Sequence, residues 1–151
     1  MTEAITGGCQ CGAVRYAVSD VAAPRSTVCH CRMCQRAVGN VFAALVQVPR
    51  AALTWTTGEP AFYASSNIAH RGYCRDCGTP LTFGADESDK IEVTTGSLDH
   101  PERFPMTEHF GVEARLSWVH MNEDLPASRT GDAGEAYPAN RADFRSRQAD
   151  A

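Results

Sequence analysis

The seven cysteines of this 151-residue chain are the side chains best suited to do chemistry, because all of them fall into three tight clusters. In chain order the clusters read C-x-C, C-x-C-x-x-C and C-x-x-C, and they consist of Cys9 and Cys11; Cys29, Cys31 and Cys34; and Cys74 and Cys77. Any scheme of intrachain disulfides would leave one of the sulfurs unpaired. Cysteine thiolates at such spacings are common zinc ligands, so the pattern predicts metal binding.

The number of cysteines divides into a four-sulfur site and a three-sulfur site. Structural zinc normally has four protein ligands, whereas catalytic zinc has three and keeps one position open for water or substrate. We therefore predict two zinc ions (Zn²⁺) per chain, one structural and one catalytic. The predicted ligands are Cys9, Cys11, Cys74 and Cys77 for the structural zinc, and Cys29, Cys31 and Cys34, the candidate catalytic residues, for the catalytic zinc.

A competing interpretation joins Cys31 and Cys34 with Cys74 and Cys77 in a single zinc ribbon. In the sequence, 39 residues separate Cys34 from Cys74, against about 15–20 in the usual ribbon pattern, and the other three cysteines would have no role. A histidine could also supply a fourth ligand to the triplet, and His30 stands between two of its cysteines. In an extended backbone its side chain points away from theirs, so we expect His30 beside the site or at the surface rather than on the metal.

Composition and charge argue against several classes of function. The formal net charge is −4 with the cysteines counted as neutral, and binding zinc as thiolates would make it more negative. An acidic chain lacks the basic surface of a nucleic-acid binder, and no apolar run approaches the ~20 residues that span a membrane. The first residues lack the basic and apolar segments of a secretory signal, so we expect a cytoplasmic protein without nucleic-acid or membrane partners.

Short alternating segments predict a mainly β protein with antiparallel sheets and little helix. Apolar and polar residues alternate in 14–18, in 81–83 and in 90–93, which is typical of half-buried strands. The nearly continuous apolar run 41–48 is typical of a strand covered on both faces. A short helix is expected over 31–38, where the second and third cysteines of the triplet, three positions apart, would share one side.

Residues 1–126 are expected to form one zinc-binding domain, after which the sequence changes character. Few large apolar residues follow, and this composition predicts a mobile carboxyl-terminal tail at 127–151. Tyr137 and Phe144 are the only anchors that we expect in it. Within the domain, Trp118 is expected to pack in the core.

Taken in order, the motifs of this chain resemble those of the glutathione-dependent formaldehyde-activating enzyme family, whose domain is shared with centromere protein V. The resemblance extends from about Thr6 to Pro126. It is carried by Gly8-Cys-x-Cys-Gly12, Cys29-His-Cys-x-x-Cys-x-Arg36, Arg71-Gly-Tyr-Cys-x-x-Cys-Gly78, Thr95-Gly-Ser-Leu-Asp99, His109-Phe110 and Trp118 through Asp124-Leu-Pro126.

The resemblance implies a fold, a use of the cysteines and an activity. The fold is a β-rich, Mss4-like tent in which two sheets are joined by zinc. The cysteines divide as above, four for structural zinc and three for catalytic zinc. The activity is condensation of glutathione with formaldehyde to S-hydroxymethylglutathione, a carbon–sulfur lyase reaction in reverse. The partners would then be a small thiol such as glutathione and an aldehyde. The alternative is a non-catalytic, zinc-stabilised module that binds a thiol or a protein.

Overall fold

The computed structural model describes residues 4–19, 21, 24–121 and 124–145. The strands are β1 (Ile5–Gly8), β2 (Arg15–Val18), β3 (Arg25–Cys29), β4 (Ala43–Pro49), β5 (Leu53–Thr57), β6 (Ala61–Ala64), β7 (Ala69–Tyr73), β8 (Pro80–Ala85), β9 (Lys90–Thr94), β10 (Glu108–Phe110) and β11 (Ala127–Ser128). The α-helix is α1 (Arg32–Val38), and 3₁₀ turns cover Arg50–Ala52, Thr95–Ser97, Pro101–Arg103, Val112–Ala114, Thr130–Ala136 and Pro138–Asn140. Within the described ranges, no helix is both long and apolar enough to cross a bilayer.

Within the part of the chain that the structure describes, the strands form two sheets. One has three strands in the order β1-β2-β5, and the other has eight in the order β11-β10-β3-β4-β9-β8-β7-β6. The strand pairs of the described residues are antiparallel except those of β10, which runs parallel to both β3 and β11. β10 follows β9 after a long connection through two 3₁₀ turns, so no hairpin fixes its direction. The prediction of a mainly antiparallel β fold with little helix is confirmed.

The main core lies where the three-stranded sheet packs on one face of the larger sheet. Tyr16 and Val18 of β2 are fully buried there, together with Val46 of β4 and Val93 of β9. The Tyr16 ring meets Trp55 edge-on, with ring centroids 5.8 Å apart. Because side chains alternate along a strand, the neighbours of these core residues in β4 and β9 point to the other face of the larger sheet.

That other face carries the candidate site, and it differs from the sequence expectation at one strand. Alternation predicts that Leu81 and Phe83 share a face, but Leu81 packs in the core while Phe83 lies beside Glu92 and lines a cavity on the opposite face. The register of β7 against β8 shifts between Gly72 and Tyr73. This β-bulge inserts an extra residue in β8 and so reverses the alternation.

The helix begins within the second cysteine cluster. Cys31 is the N-cap of α1, and its Sγ accepts a hydrogen bond from the Cys34 backbone N–H at 3.4 Å. The sulfur thus takes the place of the Ser, Thr or Asp oxygen that usually caps a helix. The helix ends at Gly39, whose φ of 64° favours a residue without a side chain. The helix predicted over 31–38 is confirmed as Arg32–Val38.

The carboxyl-terminal segment, for which composition predicts a mobile tail, has regular structure over part of the described residues. It adds β11 to the edge of the larger sheet and continues through 3₁₀ turns over 130–140. Asn67, in the turn between β6 and β7, then hydrogen-bonds the backbone of Asp143 and Arg145. Backbone contacts of this kind hold a segment that has few large apolar residues, and composition does not reveal them. Residues 146–151 of the predicted tail lie outside the described residues.

Trp118 does not pack in the core as the sequence suggested. Its side chain is 66% exposed. The next residue, Val119, is buried instead. This part of the chain is a loop without periodic structure, so residue type does not decide which of two neighbours faces inward.

The first and third cysteine clusters occupy turns that belong to different sheets. Cys9 and Cys11 follow β1 of the three-stranded sheet, and Cys74 and Cys77 follow β7 of the larger one. The four sulfur atoms nevertheless lie within 4.8 Å of one another. A metal ion held by all four would therefore join the two sheets at one side of the core.

We predict that Cys77→Ser prevents stable folding of the domain. A structural zinc can contribute ~10 kcal/mol or more of folding free energy, which is comparable with the whole stability of a typical domain, about 5–15 kcal/mol. Thermal unfolding followed by circular dichroism, with zinc measured on the same sample, tests this. Asp76→Ser alters an exposed residue of the same turn and should change neither melting nor zinc content. A Cys77→Ser protein that unfolds at the same temperature as the wild type would contradict the prediction.

Candidate active site

Both groups of cysteines have distances that suit a metal ion. Within each group the sulfur atoms lie within 4.8 Å of one another. The Cys9–Cys11, Cys11–Cys74 and Cys29–Cys31 pairs are 3.5, 3.8 and 3.3 Å apart. Sulfurs around a tetrahedral zinc with Zn–S bonds of about 2.3 Å are about 3.8 Å apart, whereas a disulfide bond is about 2.05 Å long. The donor atoms and their spacing fit zinc in two groups, and the zinc-ribbon grouping does not occur among the described residues.

Hydrogen bonds across the two turns shape the four-cysteine group. The Thr79 hydroxyl accepts a hydrogen bond from the Gln10 backbone N–H at 3.1 Å and lies 3.1 Å from Cys77 Sγ, to which it can donate. Hydrogen bonds from the hydroxyl and backbone of Thr79 lower the pKa of Cys77 to about 6. Cys9 Sγ accepts a hydrogen bond from the Val14 backbone N–H at 3.2 Å. These donors favour thiolates, the form in which cysteine binds a metal.

The three-cysteine group is buried at the start of α1. Cys29, Cys31 and Cys34 are 4%, 6% and 3% exposed. Hydrogen bonds from the Cys29 and Cys34 thiols lower the pKa of Cys31, and the contact with Cys31 raises the pKa of Cys29. A metal ion bound here would displace the remaining thiol protons. Among the described residues, no fourth His, Cys, Asp or Glu side chain joins these three.

A buried arginine lies against the three-cysteine group. Arg71 is 6% exposed, and its Nη2 donates a hydrogen bond to Cys34 Sγ at 3.3 Å. Its guanidinium carbon lies 4.5 Å from the centroid of the Phe83 ring, a cation–π contact. Three thiolates around one zinc ion would carry a net charge of −1. The Arg71 guanidinium is placed to offset that charge where solvent screens it little.

A cavity of about 290 Å³ opens beside the three-cysteine group. Cys29 and Cys34 form part of its wall, and the rest combines apolar and polar side chains of the larger sheet with two residues of the carboxyl-terminal segment. The lining includes Thr27, Leu45, Phe83, Glu92, Phe110 and Tyr137. Cavities of about this size or larger bind small organic molecules in other proteins. A ligand in this cavity would therefore meet two of the three sulfur-bearing residues.

Glu92 is a cavity residue that the sequence did not single out. It alternates with Ile91 and Val93, which are buried in the core, so its position in β9 is typical of a solvent-facing residue. In the structure burial raises the pKa of Glu92 to about 7, and the negative charge at Cys34 adds to the effect. Such a carboxyl is partly protonated near neutral pH and can exchange a proton with a ligand.

His30 and His109 form a buried pair next to the three-cysteine group. His30 Nε2 lies 2.9 Å from His109 Nδ1, and His109 Nε2 lies 3.1 Å from the Met121 carbonyl oxygen. Because the carbonyl only accepts, we assign the His109 proton to Nε2, and His30 then donates from its own Nε2. Burial lowers the pKa of His30 to about 4. Neither histidine joins the sulfur group, so the pair supports the loop that carries Cys29 and Cys31.

Two known proteins are similar to this chain, one in sequence and one in fold. An uncharacterized lyase of Schizosaccharomyces pombe is 33% identical over 79 residues, which are 51% of this chain and 55% of that protein, so the chain spans about half the length of this curated relative. A crystal structure of a Rhodobacter sphaeroides protein, a structural genomics target, is similar in fold. The two structures superpose with a TM-score of 0.52 and are 20% identical in sequence. The superposition covers 82% of this chain and 99% of that one.

A third comparison matches most of the chain to a family model. Residues 4–113 match the model described as glutathione-dependent formaldehyde-activating enzyme. The matched range contains both cysteine groups, Arg71 and Glu92, and it ends before β11 and the 3₁₀ turns that follow it. The chain belongs to the glutathione-dependent formaldehyde-activating enzyme family.

Proposed function

We propose that this chain is a zinc-dependent carbon–sulfur lyase that acts on a thiol–aldehyde adduct, such as the S-hydroxymethylglutathione formed from glutathione and formaldehyde. One observation carries the proposal: the three-cysteine group is buried, lies in the wall of a cavity and lacks a fourth ligand among the described residues. Three protein ligands are typical of catalytic zinc rather than structural zinc. Family membership and the name of the curated relative support a lyase.

In this proposal the two groups of cysteines hold one zinc ion each. A zinc ion at the three-cysteine group would supply Lewis acidity, which lowers the pKa of a thiol at the remaining position. The chain itself holds the three sulfurs at the end of β3 and the start of α1. Arg71 offsets their negative charge through its hydrogen bond to Cys34. The four-cysteine group would be structural, because its ligands already number four.

The remaining chemistry is a proton transfer. In synthesis the thiol sulfur bonds to the aldehyde carbon, the thiol loses its proton and the aldehyde oxygen gains one, so no electrons pass to another reactant. Glu92 lines the cavity, and with a pKa of about 7 it can give a proton to that oxygen and take it back in cleavage. The apolar walls, among them Leu45 and Phe83, would reduce the water around the reacting groups.

The proposed partners are a small thiol such as glutathione and an aldehyde. All seven cysteines are free of disulfides. Clustered free thiols suit a reducing compartment, so we also propose a cytoplasmic location. The alternative, a zinc-stabilised module that binds a thiol or a protein without turnover, would use the same metal sites and differ only in its lack of chemistry.

We expect Cys34→Ser to abolish activity and leave the fold intact. The change removes one of three ligands of the catalytic zinc while the four-cysteine group stays complete. Native mass spectra of the wild type with glutathione should show two zinc ions and a glutathione adduct, whereas the variant should show one zinc ion and no adduct. Activity is measured as the formaldehyde-dependent loss of free thiol. Arg75→Ser, an exposed change between the structural cysteines, should behave like the wild type.

Three outcomes would count against the lyase. Full activity of Cys34→Ser would exclude the three-cysteine group as its centre. A wild-type protein with two zinc ions that binds glutathione but never consumes it with an aldehyde would favour the binding module. One firmly held zinc ion and no adduct would favour a purely structural metal.

Glu92 should make the folded state less stable as the pH rises. The pKa of its carboxyl rises from 4.5 to about 7 on folding, so the folded state binds more protons between these values. The contribution of Glu92 to stability is fully present below the lower pKa and is lost as the pH rises through the higher one. Glu92→Gln removes the titration. The free energy of unfolding of the Glu92→Gln protein, relative to that of the wild type, should therefore increase by on the order of 2–3 kcal/mol from about pH 5 to about pH 8.

Urea unfolding of both proteins at several pH values gives this difference directly. Glu59→Gln, which alters an exposed glutamate in the turn between β5 and β6, is the matched control and should show no such trend. A Glu92→Gln difference that stays constant across the pH range would show that Glu92 is ionised throughout and cannot act as the proton donor.

A further inference from the structure

The carboxyl-terminal segment, defined here as residues 127–145, lies outside the family match and yet reaches the three-cysteine group. The match ends at residue 113. Beyond it, β11 pairs in parallel with β10, and Ser128 lies opposite Phe110. Phe110 is itself paired with Cys29 of β3. The segment therefore starts two strands away from a cysteine of the triplet and then continues through its 3₁₀ turns.

Polar contacts fix this segment at several points. The Thr130 backbone N–H and hydroxyl both donate hydrogen bonds to the Glu113 carboxylate. Asn140 Nδ2 donates to the Thr130 carbonyl oxygen at 2.6 Å, which ties the turns to each other. Farther on, the Asn67 side chain accepts a hydrogen bond from the Arg145 backbone N–H, and the Asn67 backbone N–H donates to the Arg145 carbonyl oxygen at 3.0 Å.

These contacts bring Tyr137 against the three-cysteine group. Its ring packs edge-on against Phe110, with centroids 4.8 Å apart and an interplanar angle of 60°. Its hydroxyl oxygen lies 4.0 Å from Cys31 Sγ, within reach of a weak hydrogen bond to sulfur. Tyr137 and Ala133 also line the cavity beside the cluster. A phenol keeps its proton at neutral pH, so it faces the sulfur as a donor.

We infer that the carboxyl-terminal segment completes the three-cysteine site of this chain, and that Tyr137 is a positioning residue that covers Cys31 Sγ and donates a hydrogen bond to it. Among the described residues, the other polar partners of this sulfur are the Cys29 thiol, the Cys34 thiol and the Cys34 backbone N–H. Tyr137 is the partner that comes from outside the family match.

The hydrogen bond gives the segment a chemical role. A donor to a metal-binding thiolate draws charge away from the sulfur and makes it a weaker nucleophile. In the proposed lyase a substrate sulfur shares the site with three ligand sulfurs. Weaker nucleophilicity of the ligand sulfur would then leave the substrate sulfur as the one that reacts with the aldehyde. The contact itself concerns only the ligand sulfur, so neither glutathione nor an aldehyde is needed to test it.

Alkylation by iodoacetamide, followed at each cysteine by peptide mass spectrometry on the zinc-loaded full chain, is the direct test. Tyr137→Phe removes the hydroxyl and keeps the ring against Phe110. Alkylation of Cys31 should become about three- to tenfold faster, the range expected for loss of one hydrogen bond, while the four-cysteine group should not change. Tyr63→Phe removes the same atom from an exposed tyrosine and should leave every rate unchanged.

A second variant tests the covering role separately. Asn67→Ala removes side-chain contacts that hold the far end of the segment, at a position outside both cysteine groups. Looser covering should increase alkylation at all three cysteines of the triplet and not at Cys74. In cobalt-substituted protein, Tyr137→Phe should also shift the sulfur-to-metal charge-transfer band to longer wavelength, because a thiolate without its donor holds its electrons less tightly.

Three results would overturn the inference. An unchanged Cys31 rate and an unchanged cobalt band in Tyr137→Phe would exclude the hydrogen bond. Unchanged rates in Asn67→Ala would exclude a covering role that depends on the side-chain contacts of Asn67. An equal increase in the alkylation rate of all seven cysteines would mean that the whole fold has loosened and that the effect is not local. A wild type without lyase activity would alter none of these readings, so failure of the proposed function is distinguishable from failure of this inference.

Discussion

Closely spaced sulfur atoms that repel one another when ionised set the main constraint on this structure. Each cysteine group holds its sulfurs within 4.8 Å of one another, and thiolates this close oppose each other's ionisation unless a cation or a hydrogen-bond donor lies among them. The four-cysteine group has Thr79 as such a donor. The three-cysteine group, which is more deeply buried, has the Arg71 guanidinium and, as we infer, the Tyr137 hydroxyl.

One sheet serves both the core and the site because its two faces are used differently. Along β4 and β9, Val46 and Val93 enter the core, while Leu45 and Glu92 line the cavity. A strand that must be apolar on one face and mixed on the other leaves little freedom of register, since a shift by one residue would exchange the faces. The position of the cavity relative to the cysteines is therefore fixed by the packing of the core.

The predictable parts of this protein are those encoded by residues close together in the sequence. The cysteine spacings predict the two sulfur groups, and the short helix over 31–38 follows from local pattern. The roles of Glu92 and of the carboxyl-terminal segment depend on which parts of the chain meet in space. Glu92 looks solvent-facing until its face is seen to line a cavity beside Cys34. The composition of the segment predicts mobility and gives no sign that its backbone hydrogen-bonds Asn67.

The same distinction bears on specificity within the family. The cysteine groups lie inside the matched range 4–113, whereas part of the cavity wall comes from residues beyond it. Zinc chemistry depends on the sulfurs, but discrimination between substrates depends on contacts that one substrate makes and another lacks. A protein that shares the cysteines can therefore share the reaction type without sharing the substrate. In this chain Tyr137 helps to build the wall of that cavity, so tests of the proposed thiol and aldehyde substrates should begin from the shape and charge of the cavity.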